Sequence, residues 1–452
     1  MELGQALLAV GEGERAASFE VFSANLDPAW IAAALAATGT ASVRRRKLPA
    51  ERAVWLVIGM GLLRDRSIEE VVRHLDLVLP AGGARQTVTK SGIIQARTRL
   101  GPEPLAALFA ETAGAWIPPS ADTYRWRGLA VYGVDGTTLH VPDTAENDAA
   151  FGRVPTRWKS TGGYPLLRLV ALMVLRSHLL AGLSFGAYAT SELALAEPLW
   201  GELPDRSLTI VDREFATYEV FHRLADPARQ RHWLTRAKKA LTWTVVQRFG
   251  PEDAVVELRP SASHRRAHRE LPEVLRVRAV RYHRRGFRPQ TLLTSLLDPA
   301  AHPAAEIVAL YHERWEIELG FDEVKTHTLE REEALRSTTP ARIAQELWGL
   351  AIGYNLVRLT MARTAARVGV PPPRISYRHA LQLIRLCWLT GWLASPGVLP
   401  RRLERLDDEL ALLVLPERRP RRYPRAVKIK MSNYPRKRPR RRSRRLSDRH
   451  WD

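Results

Sequence analysis

From about Leu26 to Leu79 apolar residues recur at the three-to-four-residue spacing of amphipathic helices. Asp27-Pro28 can open the first, since proline is tolerated in a first turn, and Trp30 to Leu35 continues it. A second helix, Ala50 to Leu63, carries Val54, Trp55, Val57, Ile58 and Leu62 as its apolar positions. Ser67, with Glu70 three residues on, is a capping box for a third. Ala81-Gly82-Gly83 breaks the pattern, and Ser91 to Ala113 reads as one or two further helices. The first 120 residues therefore read as an α-helical domain.

Near Trp126 the period shortens toward that of strands. Gly128 to Asp135 reads as a strand ending in a carboxylate, with Gly136 in a tight turn and Thr137 to Val141 returning as the second arm of a hairpin. Residues 143–165 are polar and glycine-rich, the composition of a mobile loop. Leu166 to Leu175 is an unbroken apolar run, a strand buried on both faces. Thr190 to Trp200 reads as a short helix. Leu208 to Asp212 is another strand closed by a carboxylate, with a helix from Phe215 to Leu224 directly behind it. His232 to Lys238 is a strand that leaves Arg236 and Lys238 at its end. Short alternating runs between basic turns over residues 239–290 predict a β-rich insertion, and Thr291 to Leu297 returns to the main sheet. Pro303 opens a further helix. Helices at roughly 339–368 and 375–395, parted by Pro371-Pro372-Pro373, complete the ordered pattern. The chain thus divides into a helical segment (1–120), an α/β domain (121–337), a helical region (338–416) and a tail (417–452).

Charge changes this picture at one end. The chain of 452 residues has 69 Lys and Arg against 48 Asp and Glu, a net +21. Residues 418–452 hold 16 of the basic residues and 2 acidic ones. Such a tail cannot bury a core and is expected to be disordered unless an anion holds it. A mildly basic body with a strongly basic tail points to nucleic acid as partner. The basic run Arg44, Arg45, Arg46 and Lys47 is a candidate phosphate clamp, and Trp233 beside Arg236 and Lys238 a candidate base-stacking platform. The single cysteine, Cys387, excludes a disulfide framework and a cysteine-based zinc site, and it reads as a buried apolar residue. The 13 histidines are scattered and give no metal-ligand spacing. Glu2, Glu12, Glu14 and Arg15 interrupt any secretory signal, and Arg168, Arg176 and His178 interrupt the most apolar stretch, so no membrane span is expected. The expected setting is the cytoplasm.

The candidate chemistry lies in three carboxylates. Asp135 and Asp212 end apolar strands, where open α/β sheets place their sites. Glu318 lies in the stretch Tyr311 to Lys325. At about 100° per residue, Tyr311, Arg314, Glu318 and Lys325 fall within an arc of roughly 60°, flanked by large apolar side chains. If the three carboxylates converge, their repulsion is relieved by divalent cations. Oxygen-only ligation suits Mg²⁺ or Mn²⁺, and a pair of such ions about 4 Å apart serves in-line phosphoryl transfer.

These residues resemble a known family. Asp135, Asp212 in Val-Asp-Arg-Glu-Phe, and the helical Glu318 are similar to the DDE site of transposases. Tyr311-x2-Arg314-x3-Glu318-x6-Lys325 matches the YREK motif of the insertion sequence four family in type and spacing. Thr294 to Asp298, Arg44 to Pro49 and Gln95 to Gly101 are similar as well. Glu214 departs from the glycine that many members have there. The resemblance implies an RNase H-like mixed sheet flanked by helices, with a β-rich insertion before the glutamate. It implies cut-and-paste DNA transposition with two Mg²⁺ held by Asp135, Asp212 and Glu318. Tyr311, Arg314 and Lys325 would then hold phosphates of double-stranded DNA, at the element's terminal inverted repeats and at the target, within a homodimer that pairs two ends and associates with the nucleoid. Two other readings stay open: a decayed copy that binds DNA without catalysis, and a related nuclease that cuts without joining.

Overall fold

The structure, a computed structural model, describes residues 25–41, 47–79, 87–154, 163–284, 287–330, 334–390 and 398–417. Arg44, Arg45, Arg46 and the basic tail lie outside these residues.

Helices α1 (Pro28–Ala37), α2 (Ala50–Leu62), α3 (Ile68–His74), α4 (Lys90–Leu100) and α5 (Glu103–Thr123) form the first segment. Local chemistry sets their starts. The Asp27 side chain accepts from the Ala29 amide, and Ser67 and Glu70 close the expected capping box, each side chain bonding the other's backbone amide. Helix α2 is buried from Ala53 to Leu62, so it is an interior helix rather than a surface one. It packs on α12 (Pro340–Val368), and the two backbones come close: a Cβ added at Gly349 would lie 2.8 Å from the Val57 carbonyl oxygen. Buried polar bonds join the same pair of segments. Arg64 meets Glu346 at 2.7 Å, and Arg97, 3% exposed, donates to Gln345 at 2.8 Å and to Ser337 at 2.9 Å. Helices from the two ends of the chain therefore form one packed layer.

Among the described residues nine strands make a single sheet: β1 (Ala130–His140), β2 (Leu166–Val174), β3 (Leu180–Ala187), β4 (Ser207–Val211), β5 (Arg231–Arg236), β6 (Thr244–Gly250), β7 (Asp253–Leu258), β8 (Leu275–Tyr282) and β9 (Gln290–Thr294). Their order is β3-β2-β1-β4-β5-β9-β8-β7-β6. Strands β1, β4 and β5 run parallel, and all other pairs are antiparallel. This is the expected mixed sheet. The insertion strands do not form a sheet of their own: β9 pairs with both β5 and β8 and carries the ladder outward.

Three local expectations are corrected. Asp135 and Gly136 do not turn a hairpin, because β1 runs through them without a break and pairs with β2 from Tyr132 to His140. Gly136 has no positive φ to supply there; a Cβ would meet only the flexible Glu192 side chain, at 2.3 Å. Within 143–165, residues Ala145–Phe151 form a helix, α6, capped by Thr144. The stretch 311–325 is not one α-helix. Helix α10 (Ala304–Tyr311) passes through a 3₁₀ turn at His312–Arg314 into α11 (Trp315–Asp322), and a π-helical turn, Glu323–Thr328, follows.

The remaining helices are α7 (Glu192–Ala196), α8 (Tyr218–Leu224), α9 (Ala262–Ala267), α13 (Tyr377–Thr390) and α14 (Leu399–Ala411). No helix among the described residues is long and apolar enough to cross a membrane.

Candidate active site

Strand pairing brings the two aspartates together. Parallel β1 and β4 are in register with Val134 opposite Val211, so the next residues, Asp135 within β1 and Asp212 just past the end of β4, stand side by side. Asp212 lies just past β4, and its side chain accepts from the Glu214 amide at 2.8 Å, capping the short 3₁₀ turn Arg213–Phe215. From the next strand the Thr235 hydroxyl donates to the Asp212 carbonyl at 3.2 Å. Asp135 accepts from the Gly136 amide at 2.8 Å.

The helical track over residues 304–328 lies across these strand ends. Ile317, Phe321 and Val324 are buried and hold it to the core. On the adjoining side, acidic side chains bond to structure beneath. Glu313 takes both ends of the Arg176 guanidinium at 2.7 and 2.8 Å. Glu316 meets His178 at 2.9 Å, and Glu323 pairs with Arg358 on α12. These anchors were missed by sequence reading. Their one signal was angular: on the same wheel Glu313, Glu316 and Glu323 fall at about 200°, 140° and 120°, opposite the Arg314–Glu318 stripe.

The third carboxylate completes the group. The Arg314 guanidinium is 2.6 Å from Glu318, 3.6 Å from Asp135 and 3.9 Å from Asp212. Three acids far apart in sequence thus surround one cation. Burial opposes the charge of Arg314, but the hydrogen bond and charge of Glu318 outweigh it and raise its pKa. Asp135 responds differently. Burial pushes its carboxyl up to about 6; the Gly136 amide and Arg314 oppose this, and the charges of Asp212 and Glu318 add to it. The repulsion is therefore only partly relieved, and hard divalent cations would relieve it further. The donor set is all oxygen and suits such ions. The three carboxylates do not bring one oxygen each within 4.8 Å of one another. Among the described residues, the one set of three potential metal-ligating atoms within 4.8 Å of one another is Glu219, His264 and His268. Arg314 is what occupies the space between the three acids.

The neighbouring candidates divide. Tyr311 is buried, which raises its pKa, and Arg314, Arg236 and Asp212 are close enough to act on it electrostatically. Lys325 Nζ is 3.4 Å from Thr137, two residues beyond Asp135 on the same face of β1. Lys238 donates to the Glu214 carbonyl at 2.9 Å and so ties the turn behind Asp212. Glu214 is 68% exposed and pairs with Arg213, so it adds no carboxylate between the three acids. Lys47 is exposed. Trp233 is corrected as a stacking platform for bases. It is 1% exposed, and its ring lies 4.2 Å from and within 5° of parallel to that of Phe221, because helix α8 covers this face of β5.

Comparison with known proteins gives two family matches: the insertion element 4 transposase N-terminal model over residues 16–110 and the transposase DDE domain model over residues 126–356. A curated relative, transposase InsG for insertion sequence element IS4 of Escherichia coli (strain K12), is 36% identical over 91% of this chain and 92% of its own length. The putative transposase InsZ of the same organism is 32% identical over 51% of this chain and 75% of its own. Among solved structures, a piggyBac transposase synaptic complex with hairpin DNA is similar at TM-score 0.43 and 10% identity, covering 89% of this chain and 86% of that one.

Proposed function

This chain belongs to the insertion element 4 family of DDE transposases, and from that premise we propose that Asp135, Asp212 and Glu318 are the catalytic carboxylates of cut-and-paste transposition. The observation that carries this reading is the single guanidinium within 4 Å of all three. Two Mg²⁺, held by these acids, would activate a water or a 3′-hydroxyl and neutralise the leaving oxygen; Mn²⁺ fits the same donors.

The chain's own residues orient the DNA. Arg314 exchanges its carboxylate partners for a backbone phosphate, which its planar fork can grip at two points. Lys325 supplies a point charge along β1, and the Tyr311 hydroxyl donates at the rim. Arg236 and Lys238 extend this basic edge from the end of β5. Arg44 to Lys47 and the tail add sequence-independent, salt-sensitive attraction. Water attacks at the element end; the freed 3′-hydroxyl attacks the opposite strand, closing a hairpin and releasing the flanking DNA; a second water reopens the hairpin, and the regenerated 3′-hydroxyl attacks a target phosphate. The substrates are the terminal inverted repeats and target duplex, and a homodimer pairs the two ends on bacterial DNA in the cytoplasm. The domain division of the sequence reading, with residues 1–120 as the end-binding module, belongs to the same proposal.

Cleavage and strand transfer on a duplex carrying element ends test it, with Mg²⁺ and with chelator. Asp135→Ala, Asp212→Ala and Glu318→Ala should each abolish both products while leaving DNA binding. Wild-type cleavage by any one of them removes that residue from the mechanism.

A further inference from the structure

Away from the three acids, a second group of potential ligands joins the insertion to the catalytic sheet. Glu219 is in the first turn of α8, the helix that follows the Asp212 turn. His264 and His268 are four residues apart on α9 and its C-terminal cap, in the connection between β7 and β8. That spacing puts both imidazoles on one helix face. Both Nε2 atoms turn to one oxygen: Glu219 Oε1 is 2.5 Å from His264 Nε2 and 3.3 Å from His268 Nε2.

An ordinary ion pair accounts poorly for this arrangement. The imidazole rings are 5.1 Å apart, and both Nε2 atoms face the one Glu219 carboxylate, Glu270 lying on the far, Nδ1 side of His268. His264 Nε2 is shielded from solvent and makes no hydrogen bond, although the Glu219 oxygen is 2.5 Å away. The two atoms are near each other without being aligned as donor and acceptor. Convergence on a shared ion explains the misalignment, because neutral imidazoles then point lone pairs at the ion and not at the carboxylate. With bonds of about 2.0–2.1 Å to a tetrahedral ion, neighbouring ligand atoms sit about 3.3 Å apart; Glu219 and His268 already stand at that distance, and the 2.5 Å between Glu219 and His264 opens as the ion enters. A supporting carboxylate is also in place: Glu270 lies 3.6 Å from His268 Nδ1, where it would take the ring's other N–H and fix the tautomer.

We propose that Glu219, His264 and His268 bind a transition-metal ion of the Zn²⁺ class, with Glu270 orienting His268 and water in the fourth position. Two imidazoles and a carboxylate select such an ion over Mg²⁺, so this site is chemically distinct from the three-carboxylate group. It clips the β7–β8 connection to the helix behind Asp212 and so fixes the insertion against the catalytic sheet. The proposal does not depend on the transposase mechanism.

The test uses the full chain without a histidine tag and Co²⁺ as a spectroscopic probe. One equivalent should give the visible absorption of tetrahedral cobalt, and Zn²⁺ should displace it. The absorption should persist in an Asp135→Asn, Asp212→Asn, Glu318→Gln triple variant and vanish in His264→Asn and in His268→Asn. Glu270→Gln should keep the band but bind Co²⁺ about 10- to 100-fold more weakly. Zn²⁺ should raise the melting temperature of wild type and not that of His268→Asn. Circular dichroism checks that each variant is folded, and Glu219→Gln provides a further variant if a histidine replacement is not. No tetrahedral band, a band that survives both histidine changes, or one lost only in the triple variant overturns the proposal.

Discussion

Arg314 donates to Glu318 across one helical turn at 2.6 Å, and the rest of its guanidinium faces Asp135 and Asp212. Breaking such a group by removing one member exposes uncompensated charge. The same arginine has two competing uses: it is the internal counter-ion of three acids, and it is the fork best suited to a phosphate.

That competition predicts opposite effects of one substitution. Arg314→Ala should let Mg²⁺ bind the DNA-free protein at lower concentration, since no guanidinium has to be displaced. The same variant should cleave about 10²–10³-fold more slowly, the usual loss when one preorganised charge donor is removed. Arg314→Lys should fall between, with charge but no two-point grip. Metal titration by calorimetry, set beside single-turnover cleavage, reads both. Equal metal affinity in wild type and Arg314→Ala would show that the arginine does not contest the site.

Asp212 has a structural role and a proposed chemical one, and these can be separated. Asparagine caps a helical turn about as well as aspartate does, so Asp212→Asn should retain the bond to the Glu214 amide and change stability by less than about 0.5 kcal/mol. Having lost its charge, it should not cleave. Denaturant melts and cleavage assays on the same preparation check the pair. A variant that loses stability and activity together would place Asp212 with the fold.

Beneath the site, Glu323 gives a pH dependence with a definite sign. Burial would raise its pKa, but Arg358 and His178 pull it down to about 2. Tyr354 also donates to it at 2.8 Å. The unfolded chain therefore binds more protons than the folded one between about pH 4.5 and 2. This group's contribution is fully present above that window and is lost as pH falls through it. Glu323→Gln should flatten this part of the stability curve. It should also cost about 3–5 kcal/mol at neutral pH, because Arg358 is left buried without its partner. Urea unfolding from pH 2 to 7 measures both, and parallel wild-type and variant curves would exclude the pair as the source.

Asp135 and Asp212 were legible as candidates because a carboxylate that closes an apolar run breaks a strong pattern, whereas Glu318 was joined to them only by the family resemblance. Gly136 misled because a glycine after a carboxylate looks like a turn in a sequence, whereas here it lies within an unbroken strand without positive φ. Trp233 misled because strand alternation does not say whether a helix covers the face, and α8 does. The anchors Arg176–Glu313 and Arg358–Glu323 join residues 137 and 35 positions apart, and no local period marks such pairs. His264 and His268 stand four residues apart, but two histidines alone mark no site, and their partner Glu219 lies on an element before the insertion, so only the fold brings it near.

The basic tail offers the last prediction, one that rests on charge alone. Residues 418–452 hold 16 Lys and Arg and 2 acidic residues. Each phosphate that such a segment neutralises releases condensed counterion and adds about 0.9 to the slope of log affinity against log salt. If even a quarter of these cations reach the backbone, deleting 418–452 should reduce the slope by about 3–4. Affinity should fall most at low salt, and equally for element ends and unrelated duplex, because a point-charge tail reads no bases. Fluorescence anisotropy on both duplexes from low to moderate salt measures this. An unchanged slope would leave the ordered body as the source of the electrostatic attraction. A loss confined to element ends would mean that the tail reads sequence.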